Sequence, residues 1–132
     1  MSLLCPIDFR YGRPKMKGIF EEESRLQRLL EVEAALARVE AKVGLIPEPA
    51  AAEITKKATT KRVTVKRVQE IEEETRHDLM AVVLALTEAC DGEAGKYVHL
   101  GATSNDILDT ATALQLRDAI RIEDVEIGRA HV

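Results

Sequence analysis

The sequence predicts an all-α protein, and three observations carry that prediction. Apolar residues make up 45% of the 132-residue chain, yet aromatics are only 3% and Trp is absent, while Ala, Leu, Val and Glu abound. That is the composition of packed helices rather than of a β-sandwich or barrel. Apolar positions also recur at steps of three and four through long windows, the period of a one-sided helix. Finally, glycine and proline gather between those windows and not inside most of them. The length corresponds to one domain with enough chain to bury a core.

Residues 1–18 read as irregular, because Pro6, Gly12, Pro14 and Gly18 interrupt them. The first helix is expected from about Ile19 to Val43. Leu26, Leu29, Leu30, Leu36, Val39 and Val43 form its apolar stripe, and Glu33 is the one acid within it. Gly44 is placed to end this helix, and Pro47 and Pro49 prevent its continuation. A short helix follows from Pro49 to about Ala58. A third is expected to start near Thr64 and to run on through Leu86, with Val68, Ile71, Thr75, Leu79, Val82 and Leu86 on one face. From Leu79 it is apolar on every side, as in a helix entering a buried environment. "CDGEAG" (Cys90–Gly95) closes it as a loop. The fourth helix begins at Thr103 or Ser104, both good N-caps, and reaches at least Ile120, with Asp106 in its first turn. Its apolar residues spread over more than one face, so it calls for several neighbours.

Composition and charge exclude several function classes. The net charge of −4 gives no bulk attraction for nucleic acid. The basic run "TKKATTKRVTVKR" is followed at once by "EIEEE", which reads as a solvated face rather than a phosphate-binding arm. The longest apolar run, "LMAVVLAL", is too short to span a bilayer. Cys5 and Cys90 lack metal-ligand spacing and no secretory signal precedes them, which fits reduced thiols in the cytoplasm. There is no GxGxxG, P-loop, HExxH, CxxC or GxSxG pattern. His77, Asp78 and His99 match no standard metal spacing.

Three segments could carry chemistry. "ETRHD" (Glu74–Asp78) sets polar groups just before the apolar half of the third helix. On a continuous helix His77 would lie about 160° from the Thr75–Leu79 stripe. It would then share a face with Met80 and Leu84 and need a partner there. The plainer alternative is a solvated helix turn with an Arg–Asp pair. "HLGATSND" (His99–Asp106) leads into a helix N-terminus. Gly101 allows a close backbone approach. Thr103 and Ser104 with the free first-turn N–H groups would form an anion-binding nest, or simply a helix cap. "FRYGRP" (Phe9–Pro14) presents Arg10, Tyr11 and Arg13, suited to phosphate or ribose, or else a terminal segment stapled to the body.

Together, "RYGRPKM", "IEEETRHDLMA" and "YVHLGATSNDILDTATALQL" resemble the N-terminal region of the adenylosuccinate lyases in order and spacing. These lyases lie within the fumarase/aspartase/argininosuccinate lyase superfamily. The resemblance runs from about Ile7 to Ile120. It implies a helical N-terminal domain over residues 1–95. Residues 96–132 would be a loop and the start of the central-bundle helix, where this sequence stops early. It further implies β-elimination of fumarate from adenylosuccinate, giving AMP, and from the succinylated aminoimidazole carboxamide ribotide of purine biosynthesis. Such a reaction needs a base beside a carboxylate, donors for the resulting dianion and an acid for the leaving nitrogen. It needs no cofactor and no metal. The implied partners are these small molecules and further copies of the chain, because the family's site is assembled from several subunits of a homotetramer.

By position, the resemblance gives Arg10, Tyr11, Arg76, His77 and Asp78 contacts to the nucleotide, with His77 supporting the catalytic acid. It gives Thr103 and Ser104 the succinyl carboxylate, with His99 and Asp106 supporting that loop from behind. The family's serine-bearing signature loop has no counterpart here. Its general-acid histidine sits in a GRTHG-like segment. "IGRAHV" (Ile127–Val132) echoes that segment and makes His131 a candidate, but Ala130 stands at the Thr position, no Gly follows, and Ser104 is close behind. The chain alone is therefore expected to be inactive and to associate into a dimer or larger. Two other readings stay open: a non-catalytic helical interaction module, and part of another superfamily lyase such as an argininosuccinate lyase.

Overall fold

The computed structural model describes residues 12–130, and among them the chain is helical with no strand. In chain order the helices are α1 (Pro14–Phe20), α2 (Glu22–Lys42), α3 (Glu48–Lys57), α4 (Val65–Thr75), α5 (Asp78–Ala89) and α6 (Ser104–Ala130), with a short 3₁₀ turn at Ala94–Tyr97. The expected all-α class is what the chain adopts.

The central element is α2, which packs along α3 and along α6. Leu26, Leu29, Leu30, Ala34 and Ala37 of α2 join Ile54 of α3, Val68 and Ile71 of α4, Leu79, Val82 and Leu86 of α5, and Ile107 and Ala111 of α6 in one core. Polar ties fix the long α6 in place. Asp118 accepts from Arg28 Nη2 at 2.6 Å, and Gln115 Nε2 donates to the Ile19 carbonyl at 2.7 Å. That carbonyl lies in the last turn of α1, where the helix itself supplies no donor. The end of α2 is a Schellman motif. Gly44 stands at φ 79°, its N–H bonds Ala41 O at 3.0 Å, and Leu45 N–H bonds Glu40 O at 2.9 Å.

Three expectations need correction. Pro14 starts a helix instead of breaking one, because a proline at the first position loses an N–H that had no partner anyway. Gly18 is tolerated inside that helix, and the chain breaks at Glu21, which is extended (φ −64°, ψ 150°). Second, the stripe on α2 does not continue to Val39 and Val43, which are exposed. Ala34, Ala37 and Glu40 turn inward in their place. A stripe held at strict steps of three and four drifts against a helix of 3.6 residues per turn, and the alanines let neighbouring helices come close. Third, the expected third helix is two helices, α4 and α5, separated at Arg76 and His77.

The basic run and its acidic sequel form the solvated face the sequence suggested. Arg67 forks onto Glu88 through two 2.9 Å bonds and reaches Glu70 at 3.1 Å. Lys57 departs from that pattern, being nearly buried between Asp91 (2.9 Å) and Glu53 (3.4 Å). Large apolar side chains remain uncovered on α6 (Leu116, Ile120, Val125, Ile127) and on α5 (Met80, Leu84). No helix of the described residues is long and apolar enough to cross a membrane.

Candidate functional site

The TRHD segment is a joint between helices. Arg76 ends α4 in the left-handed region (φ 55°), with its N–H on Glu72 O. His77 is extended (φ −144°, ψ 115°) and caps α5 with its own ring, Nδ1 accepting the Met80 N–H at 3.3 Å. A ring that accepts at Nδ1 carries its proton at Nε2 when neutral, so His77 presents an N–H donor from a half-exposed side chain. Asp78 Oδ1 accepts the Leu79 N–H at 2.7 Å in the first turn of α5, where a negative charge suits the dipole. Arg25 reaches Asp78 only at 3.8 Å, on an exposed face. The helical-wheel placement of His77 beside Met80 and Leu84 does not apply, since no continuous helix joins them. Arg76 is exposed and its guanidinium has no hydrogen-bond partner among the described residues.

The loop before α6 is more heavily constrained. His99 stands at φ 62° and Gly101 at φ 69°. His99 Nδ1 lies 2.7 Å from Oε1 of Glu33, which is 1% exposed. At the far end, Asp106 Oδ2 accepts the Thr103 N–H at 2.8 Å and the Thr103 hydroxyl at 3.0 Å. Those two bonds hold the Asp106 carboxyl below the usual carboxylate range. The first-turn nest therefore already carries a negative charge, and the Thr103 hydroxyl proton is committed. The Ser104 hydroxyl makes no hydrogen bond among the described residues and is the free donor of the pair.

No hydrogen bond or ion pair joins this loop to the TRHD joint among the described residues. Beside the TRHD joint lies a groove of about 70 Å³ lined by Arg25, Leu29, Val68, Asp78 and Leu108, and no residue of the HLGATSND loop lines it. Sites for nucleotide-sized ligands enclose roughly 300–1,000 Å³, so the described residues supply a wall there and not a pocket. A hollow of about 420 Å³ between Pro47, Glu53, Asp91 and Tyr97 contains none of the predicted site residues. Arg10, Tyr11 and His131 lie outside the described residues. Sequence reasoning noticed Glu33 as an acid in an apolar stripe without assigning it a partner, and it missed Glu40, also buried. Burial pushes both carboxyls upward, and for Glu33 the His99 bond works against that rise.

The fold and these motifs can be set beside known proteins. A family model described as lyase matches residues 8–126. The adenylosuccinate lyase of Methanocaldococcus jannaschii is 56% identical over 117 residues, covering 89% of this chain and 25% of that protein. The adenylosuccinate lyase of Pyrococcus abyssi is 57% identical over 122 residues, covering 92% and 27%. In structure, the 3-carboxy-cis,cis-muconate lactonizing enzyme of Pseudomonas putida is similar with a TM-score of 0.85 and 37% identity, covering 93% of this chain and 29% of that one. The chain belongs to this lyase family, the fumarase/aspartase/argininosuccinate lyase superfamily. It spans about a quarter of the length of the curated relatives it matches.

Proposed function

We propose that this chain is part of a homotetrameric, cytoplasmic lyase that eliminates fumarate from adenylosuccinate, and from the succinylated aminoimidazole carboxamide ribotide, in purine biosynthesis. The reading rests on the 56% identity to an adenylosuccinate lyase over 89% of the chain. A window of that length must include both the TRHD joint and the HLGATSND loop. In this reading, Arg10, Tyr11, Arg76, His77 and Asp78 face the nucleotide. The His77 Nε2–H supports the group that protonates the leaving nitrogen. Ser104, whose hydroxyl stays free while Thr103 is held by Asp106, donates to a succinyl carboxylate at the start of α6 and to the dianion formed when the neighbouring carbon is deprotonated. Asp106 places a fixed negative charge beside that carboxylate, so neutral donors and the His99 side of the loop carry the binding. Residues 96–132 then begin the central helical unit, and the exposed apolar faces of α5 and α6 meet other subunits. The serine base loop is not among these 132 residues, so the chain alone releases no fumarate.

The deciding experiment assays the whole lyase that contains this chain, following fumarate release from adenylosuccinate and from argininosuccinate in parallel. Turnover of adenylosuccinate with none of argininosuccinate is expected; the reverse would overturn the assignment. AMP or fumarate should also raise the melting temperature of the isolated chain if its wall binds ligand without its neighbours.

A further inference from the structure

We infer that Glu33, inside α2, is a positioning residue for the loop that leads into α6: through its hydrogen bond to His99 Nδ1 it fixes the backbone that presents Thr103 and Ser104. Four observations converge on this. Glu33 is 1% exposed, a place a glutamate occupies only with a specific partner. Its Oε1 lies 2.7 Å from His99 Nδ1, a bond that reaches across 66 residues of sequence. His99 holds φ 62°, a conformation that a residue with a Cβ keeps only when its surroundings impose it, and Gly101 two residues on holds φ 69°. Among the described residues this is also the side-chain hydrogen bond that ties residues 98–102 to the helical body. Val98 and Ala102 pack partly against the core, but apolar packing is not directional and does not set a backbone angle. With Asp106 gripping Thr103 at the other end, the loop is clamped from both sides. His99 Nε2, which makes no hydrogen bond among the described residues, is left toward whatever the loop meets.

Amide hydrogen exchange on this chain tests the inference without reference to any reaction. Glu33→Ala should speed exchange at Leu100–Ser104 tenfold or more, while the amides of α3 keep their wild-type rates. Glu33→Gln, whose amide can still pair with Nδ1, should stay within threefold of wild type. The inference is overturned if Glu33→Ala leaves the loop within threefold, if it accelerates α3 equally, or if Glu33→Gln matches Glu33→Ala. Should Glu33→Ala fail to fold, His99→Ala removes the other partner and carries the same expectation. A second arm rests on the function proposed above. In the whole lyase, Glu33→Ala should raise KM for the succinylated substrate at least tenfold, with kcat within threefold and with rescue by Glu33→Gln. An unchanged KM would overturn the loop's role in binding. A wild-type enzyme that releases no fumarate would overturn the proposed activity and leave the exchange result standing.

Discussion

Arg76 separates backbone strain from ligand binding at a single position. It sits left-handed at φ 55° between α4 and α5, its side chain is exposed and makes no hydrogen bond or ion pair among the described residues, and its N–H bonds Glu72 O at 2.8 Å whatever the side chain. A left-handed residue with a Cβ is disfavoured by about 1–2 kcal/mol. Glycine removes that strain, but its unfolded chain is freer, which returns about 0.5–1 kcal/mol. Arg76→Gly should therefore stabilise the chain by about 0.5–1 kcal/mol, raising the melting temperature by ~2–5 °C for a domain of this size. Arg76→Ala keeps the strain and deletes an unengaged side chain, so it should stay within about 0.5 kcal/mol of wild type. Thermal melts followed by circular dichroism, with urea titrations at fixed temperature, measure both. If Arg76→Gly melts at or below wild type, the strain argument is wrong. If Arg76→Ala gains as much as glycine, the guanidinium and not the backbone was the source. On the proposal that Arg76 faces the nucleotide, both variants of the whole lyase should weaken nucleotide binding alike, because both lack the fork. Gaining stability while losing affinity would mark Arg76 as kept for its ligand.

Other perturbations follow from the same geometry. Leu30→Ala empties a fully buried position at the centre of α2 and should destabilise by about 3–5 kcal/mol in urea titrations, without altering the HLGATSND loop. Gly95→Ala would set a Cβ 2.9 Å from Thr87 Cγ2 and 3.0 Å from the Thr87 carbonyl, so a loss of about 1–3 kcal/mol is expected; a neutral result would show that the 3₁₀ turn shifts freely. The carboxyls of Asp106, held by Thr103, Asp118, held by Arg117, and Glu88, held by Arg67, lie below their ordinary range. Their contribution is present above the unfolded values near ~4 and is lost as pH falls through the folded values. Glu33 has the opposite sign. Burial raises its folded value, so its contribution is full below about 4.3 and declines as pH rises through the folded value. Stability profiles of wild type and Glu33→Gln should accordingly diverge above about pH 4.3 and run parallel below it.

The helices were legible because periodicity and caps are local. Thr64 caps α4 by accepting the Arg67 N–H, Gly44 ends α2, and the start of α6 falls where the Thr–Ser pair placed it. The break at Arg76 was not legible, because its neighbours keep the three–four spacing through Leu86 and no glycine or proline marks the turn. A ring that caps its own helix and an arginine held left-handed leave no signature in hydrophobic pattern. Glu33 was half legible. An acid in an apolar stripe implies a buried partner, but the partner lies 66 positions away, and only the packing of α2 against α6 brings His99 to it. Val39 and Val43 misled for the opposite reason: at the end of a long helix, the face toward the core had moved on to Ala37 and Glu40.

The two motifs share one construction. Each places a histidine and a left-handed backbone just before a helix, Arg76 with His77 for α5, and His99 with Gly101 for α6. Each puts an aspartate in the first turn, Asp78 and Asp106. Those aspartates already balance part of the positive end of each dipole. In the reading proposed above, an incoming anion therefore gains little from bare helix charge and bonds to discrete donors: the His77 Nε2–H, the Ser104 hydroxyl and the Arg76 guanidinium. Discrete donors discriminate by geometry where a diffuse dipole would accept any anion. Geometry of that kind requires the two helix starts to be held apart at a fixed distance. The common core of α2 with α5 and α6 supplies that spacing, and among the described residues it does so without closing a pocket.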